Sequence, residues 1–228
     1  MMLSLHTGYK ELDYLLDGGI HPGRITEFCG QTCTGKTQII HQIIVNSYLP
    51  ENKDSLNGGI LHIDTNGDFS PERIIQLCES KGLDHESVFK DILLIRLINE
   101  ARLLDIFNII EEIVQNQQVK LITIDSLTWP LIKMIHENEI NESSLEKLYD
   151  NLIHLIEKFP SLSIVYTSNY VQKNHLTNYM THANITRIKL QNVKGQHKKA
   201  ELIQPYINSK QVDLYLTKDG LSDHGIDS

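Results

Sequence analysis

No apolar run in this chain is long enough to cross a membrane. The opening segment, MMLSLHTGYK, has no basic stretch leading into an apolar one, so we expect no secretory leader. Cysteine is scarce: Cys29, Cys33 and Cys78 are an odd number, and no matching Cys or His pair follows at zinc spacing. That excludes a disulfide framework and points to three free thiols in a reducing compartment. The histidines are scattered and form no HExxH pair, so they are expected to be packing or surface residues. There is no internal repeat, no low-complexity tract and no Pro/Ser-rich linker. Basic charge is also short, with 21 Lys and Arg against 29 Asp and Glu, which excludes a protein coated in positive charge.

What is present is unevenly distributed. Between Tyr170 and Lys210 lie seven basic residues and one acidic residue, a net +6, so the remainder carries -14. Such asymmetry marks a candidate partner surface. We expect Lys173, Lys194, Lys198 and Lys199 either to form a local basic edge for DNA or an acidic partner or to be simple solvated hairpin charge.

The 228 residues suit one large domain whose core needs no disulfide or structural metal. Short apolar runs alternate with amphipathic stretches, the pattern of βαβ units around a mainly parallel sheet. Strands are predicted at Arg24–Gly30, Gly59–Asp64, Asp91–Leu97, Lys120–Asp125 and Ser163–Ser168. Helices are predicted at Lys36–Leu49, from Ser70-Pro71 through Ser80, at Asn99–Gln117 and at Ser143–Phe159. Ile185–Leu190, Lys199–Ile203 and Val212–Thr217 follow one another without helices, so the sheet is expected to finish in antiparallel strands.

Gly30-Gln31-Thr32-Cys33-Thr34-Gly35-Lys36-Thr37 matches GxxxxGK[ST] between a predicted strand and a predicted helix. The glycines let backbone wrap a phosphate, and the helix start adds N–H donors. Lys36 is expected to reach the β- and γ-phosphates of ATP, and Thr37 to ligate Mg²⁺. Asp125 closes an apolar strand at the carboxyl edge of the sheet, where it can hold Mg²⁺ through water or serve as an ordinary strand-terminal cap.

Four blocks narrow the family. Thr7-Gly8, Leu12-Asp13, Leu15-Leu16-Asp17-Gly18-Gly19-Ile20 and Ile25-Thr26-Glu27 lead into the loop. Asp64-Thr65-Asn66-Gly67-Asp68-Phe69-Ser70-Pro71-Glu72-Arg73, then His182-Ala183-Asn184-Ile185-Thr186-Arg187, then Asp213–Leu221 follow in order. Together they resemble RecA-type recombinase cores, specifically the eukaryotic and archaeal recombinases and their paralogues. The resemblance implies an α/β fold, a RecA-like P-loop NTPase core with a mainly parallel sheet flanked by helices and an antiparallel finish. Carried over from the family's "PER", Arg73 would pack on the adenine, a cation–π contact, or else be an exposed helix arginine.

Departures from the family pattern bear on function. Asn66 stands where the resemblance implies a catalytic glutamate, so hydrolysis is expected to be slow or absent unless a carboxylate such as Asp68 substitutes. Tyr170 follows Asn169 where the family has a γ-phosphate-sensing glutamine. Between Trp129 and Glu146, where the family's first DNA loop falls, four glutamates face one lysine. The chain is expected to be a single RecA-like domain over residues 1–228, without the family's N-terminal helical domain, and it has no Phe-x-x-Ala hook.

Asn66-Gly67 and the Leu12–Gly19 opening are most similar to the D-type paralogue and to the fungal subunit of Shu-type complexes. That similarity implies an ATP-binding subunit of a nuclear mediator. Its partners would be another RecA-like paralogue, a SWIM-domain zinc protein and a recombinase filament, with single-stranded DNA met through the complex. An active DNA-dependent strand-exchange ATPase and a small-molecule phosphotransferase are the competing readings. The second lacks the arginine-rich lid it needs, since Gln38–Lys90 contains only Arg73 as arginine.

Overall fold

A computed structural model describes residues 4–50, 56, 58–97, 106–127, 142–169, 184–205 and 210–222. In chain order these form α1 (Lys10–Leu15), β1 (Ile25–Gly30), α2 (Lys36–Asn46), β2 (Gly59–Asp64), α3 (Pro71–Ser80), α4 (His85–Lys90) and β3 (Ile92–Arg96). There follow α5 (Ile106–Asn116), β4 (Val119–Asp125), α6 (Glu142–Lys158), β5 (Ser163–Ser168), β6 (Ile185–Lys194), β7 (His197–Gln204), β8 (Gln211–Thr217) and β9 (Gly220–Ser222). One sheet holds all nine strands in the order β3-β2-β4-β5-β1-β6-β7-β8-β9. The pairs from β3 to β6 are parallel, and those from β6 to β9 are antiparallel.

The expected architecture is therefore present, and Ile185–Leu190 is the strand where the sheet changes direction, antiparallel to β7 on one side. It pairs parallel with β1 over Ile25–Gly30 and then runs on to Lys194 before the chain reverses. Gly195, at φ +55°, and Gln196 make that reversal, and Lys194 pairs with His197 across it. The short helices α1 and α4 and the strand β9 carry too few residues for a periodic pattern to announce them.

Strand alternation splits the core into two faces. On one face Phe28, Leu121, Val165 and Ile188 pack with Leu12 of α1, Ile39, Ile40, Ile43 and Ile44 of α2, and Ile74 and Leu77 of α3. On the other, Ile25, Ile122, Ile124, Ile164 and Tyr166 meet Ile110 and Val114 of α5 and Leu148, Leu152 and Ile156 of α6. β1 lies between β5 and β6, and all six of its residues are buried. The loop that leaves β1 thus springs from a fully buried strand paired on both sides.

The residues that open the chain brace this core. Thr7 N–H and Oγ1 both donate to Asp13 Oδ1 at 2.7 Å, and the Thr7 carbonyl accepts from Gln42 Nε2 and Asn46 Nδ2 on α2. Gly8, at φ +76°, lies where a Cβ would fall 1.9 Å from Asn46 Nδ2, so only glycine fits. Leu5 and Ile20 form a bridge that presses the Leu5 carbonyl against Gly19.

A second buried device spans three neighbouring strands. Glu27 of β1 lies opposite Arg187 of β6, and Arg187 Nε donates to Glu27 Oε2 while Ser168 of β5 donates to Glu27 Oε1. Burial pulls the Arg187 guanidinium down, but Glu27 beside it prevails and holds its pKa well above the ordinary arginine value.

Candidate nucleotide-binding site

Gly30 ends β1 and Lys36 opens α2, so residues 31–35 form a compact strand-to-helix loop. A Cβ on Gly30 would lie 2.6 Å from the Leu190 carbonyl and 2.7 Å from Thr34 Oγ1. Gly35 takes φ +94° as the helix N-cap, and a Cβ there would meet Leu216 Cδ1 at 2.2 Å. A side chain would press on backbone at Gly30 and would be strained by the left-handed angle at Gly35. Thr34 Oγ1 donates to the Gln31 carbonyl at 2.8 Å and closes the loop on itself. Lys36 Nζ lies across it, donating to the Gly30 and Gln31 carbonyls at 2.8 and 2.9 Å.

Asp125 comes to this loop from the end of β4. Its carboxyl is buried, and Thr167 and Thr37 both hydrogen-bond to it. Burial pushes its pKa up, against the pull of those two hydroxyls and of Lys36, while the Asp68 charge adds to the rise. Burial also lowers the Lys36 pKa, against the Asp125 charge. The Thr37 hydroxyl and Asp125 carboxyl therefore meet as hard oxygen donors beside a lysine, a set that fits Mg²⁺ with a phosphate chain. A divalent cation bound there would favour the ionised carboxylate.

A third segment, residues 64–69, is held by one side chain. Asp64 Oδ1 accepts from the N–H groups of Asn66, Gly67 and Asp68 at 3.2, 2.7 and 3.1 Å. Asp64 Oδ2 accepts from Phe69 N–H and from Arg96 Nε, at 3.3 and 3.2 Å. Thr65 Oγ1 donates to the Ser126 carbonyl and accepts from Ser126 N–H, tying this turn to the end of β4. Beneath it, Phe69 packs between the buried rings of His41 and His62, at 5.6 and 4.9 Å between centroids.

These pieces enclose a cavity of about 690 Å³. Thr32, Cys33, Gly35, Lys36, Thr37, Asn66, Asp68 and Asp125 line it, as expected of the phosphate loop and its partners. So do Ser126, Asn169, Gln196, Lys198 and Leu216, which sequence reasoning did not place there. Only the strand pairing brings them in: Leu216 N–H donates to the Gln196 carbonyl at 3.1 Å, which folds the β6–β7 turn and β8 over the loop together.

The Rad51 family model matches residues 1–224. The chain belongs to the Rad51 family. It is also similar to the DNA repair and recombination protein RadA of Aeropyrum pernix, with 31% identity over 95% of this chain and 72% of that protein. Several residues of the blocks that resembled this family now have a physical role: Thr7 and Asp13 as a brace, Glu27 and Arg187 as a buried pair, Asp64 as the holder of a turn.

Other residues singled out in this Rad51-family chain fall elsewhere. Arg73 starts α3 but does not line the cavity. It donates through Nε to Gln38 Oε1 at 2.7 Å, and through its terminal nitrogens to Gln76 and the Thr217 and Lys218 carbonyls. The guanidinium is thus neither a free exposed group nor a cavity wall; it clamps α3 to the β8–β9 turn. The basic edge also needs correcting. Successive strand residues point to opposite faces, so Lys198 and Lys199 diverge. Lys198 is buried in the wall of the cavity, Lys199 sits across from Gln191 and Asp213, and Lys194 is exposed. Lys173, Tyr170 and residues 129–141 lie outside the described residues.

Proposed function

We propose that this chain is an ATP-binding subunit of a recombinase-paralogue mediator of the Shu type, acting in homologous-recombination repair in the nucleus with little or no hydrolysis of its own. In this reading it joins another RecA-like paralogue and a SWIM-domain zinc protein, promotes assembly of a recombinase filament, and meets single-stranded DNA through the complex. The observation that carries the reading is Asn66, which lines the cavity with Lys36, Thr37 and Asp125 and stands where the resemblance implies a catalytic glutamate. An amide can hold a water but takes no proton from it, and loss of a general base costs about 10²–10⁴ in rate. The name of the Aeropyrum pernix relative supports the recombination setting.

Asp68 gives a specific reason to keep a second reading, an active DNA-dependent ATPase, because its residue lines the same cavity two positions on. Steady-state ATP hydrolysis, with and without partners and DNA, separates the two. The mediator reading expects a negligible rate that Asn66→Glu raises by about 10²-fold or more. A recombinase-like rate that Asp68→Asn abolishes would overturn it in favour of the second. Lys36→Ala should abolish ATP binding in either case.

A further inference from the structure

We propose that Lys198 is a second phosphate-binding cation of the nucleotide site, supplied by the β6–β7 hairpin rather than by the phosphate loop. The inference rests on nucleotide binding in the cavity described above. Lys198 is buried, at 8% exposure, and shares the cavity wall with Lys36, Thr37 and Asp125. Among the described residues the one hydrogen-bond acceptor its ammonium meets is the Gly195 carbonyl, at 2.7 Å.

A buried ammonium is costly unless an opposite charge meets it. Lys198 faces none among the described ion pairs, whereas the comparably buried Arg187 has Glu27. A polyanion in the cavity supplies the missing partner. Lysine suits that task as a point charge with several donors.

The position is fixed on three sides. Lys198 pairs with Asn192 on β6 and Leu214 on β8. The turn behind it is set by Gly195 and is tied down where Gln196 accepts from Leu216 N–H. A Cβ on Gly195 would meet nothing within 4 Å, so glycine serves the backbone angle there rather than making space. The neighbouring residues on the same strand run do not share the role. Lys194 is exposed beyond the turn, and Lys199 is on the opposite face.

The test is a titration of the purified chain with a fluorescent ATP analogue and Mg²⁺, comparing wild type with Lys198→Met, Lys194→Ala, Lys199→Ala and Lys36→Ala. Lys198→Met keeps the length and apolar stem of the side chain and removes its charge. We expect it to weaken binding by about tenfold or more, the effect of losing one charge-assisted hydrogen bond. The two neighbouring lysine variants should stay within about twofold of wild type. Lys198→Arg should recover most of the loss. Unchanged affinity in Lys198→Met, with Lys36→Ala weakened, overturns this proposal alone. Failure of wild type itself to bind the analogue overturns the nucleotide reading as well. Should Lys198→Met not fold, NMR of the wild-type protein with isotopically methylated lysines gives the same decision. The Lys198 resonance shifts on adding Mg-ATP if the proposal holds, and stays with Lys194 and Lys199 if it does not.

Discussion

Acid should loosen the support of the Asp64 turn, and the size of the effect follows from two rings. His41 and His62 are both buried beneath Phe69. Among the described residues both His41 ring nitrogens have no hydrogen-bond partner, whereas His62 Nδ1 is bonded with Thr123 Oγ1 at 2.8 Å. Burial is the main cause that lowers each pKa to about 4. Around them, Arg73 lowers His41 further, Arg96 and His41 lower His62, and Asp64 opposes both shifts. The folded chain therefore keeps both rings neutral while the unfolded chain protonates them near pH 6.5. Stability is full above that pH, falls as pH drops through about 6.5, and stops falling from this cause near pH 4, where the folded rings also charge. Between about pH 7 and pH 5 the loss is about 2 kcal/mol for each ring. Two rings thus remove about 4 kcal/mol from a domain whose total is about 5–15 kcal/mol.

Urea unfolding at both pH values, followed by circular dichroism, measures that loss. His41→Leu removes one proton-binding site and two orphaned nitrogens, so its pH-dependent loss should shrink by about 2 kcal/mol. An unchanged pH dependence in His41→Leu, or an NMR titration placing the His41 midpoint near 6.5, would refute the reasoning.

Two further predictions follow from buried and exposed partners. Burial pushes the Cys29 and Cys78 thiols up to about 12 and about 11, while Cys33 is exposed on the cavity wall. A maleimide at neutral pH should therefore label Cys33 alone, and saturating Mg-ATP should slow that labelling about tenfold; mass spectrometry finding a second labelled thiol, or no protection, counts against the site. Arg187→Met leaves Glu27 buried without its partner and should cost about 3–5 kcal/mol, lowering the melting temperature by about 10 °C. Glu27→Gln added to it should restore most of the loss, and scanning calorimetry showing no recovery would deny that the pair is coupled.

The parallel sheet and the phosphate loop were legible because each has a local signal. Apolar runs of strand length mark β1, β2, β4 and β5, and the glycine spacing marks the loop. Ser70 and Pro71 marked the start of α3, and Ser70 does accept from Arg73 N–H. Asn66 and Asp125, singled out from the sequence, both line the cavity. Lys198 was legible only as charge, because the strand register that turns it inward is set by the pairing of β6, β7 and β8. The clamp made by Arg73 was hidden for the same reason. Its acceptors at Thr217 and Lys218 are brought to it by the sheet finish, far along the chain. Asp64 had the sequence signature of a turn-capping carboxylate, an aspartate followed by Asn66-Gly67, and that signal could have been used.

The contact of Leu216 with Gly35 has a consequence for synthesis. The two residues are about 180 positions apart in a chain that a ribosome lengthens by roughly 5–20 residues each second. The phosphate loop therefore waits on the order of ten seconds or more for the side chain that seats against it. During that interval the emerging polypeptide has the glycine-rich motif but not the finished pocket. A nucleotide added to translating ribosomes would meet an incomplete cradle, and the ability to hold it would appear late and abruptly, once β8 has joined the sheet.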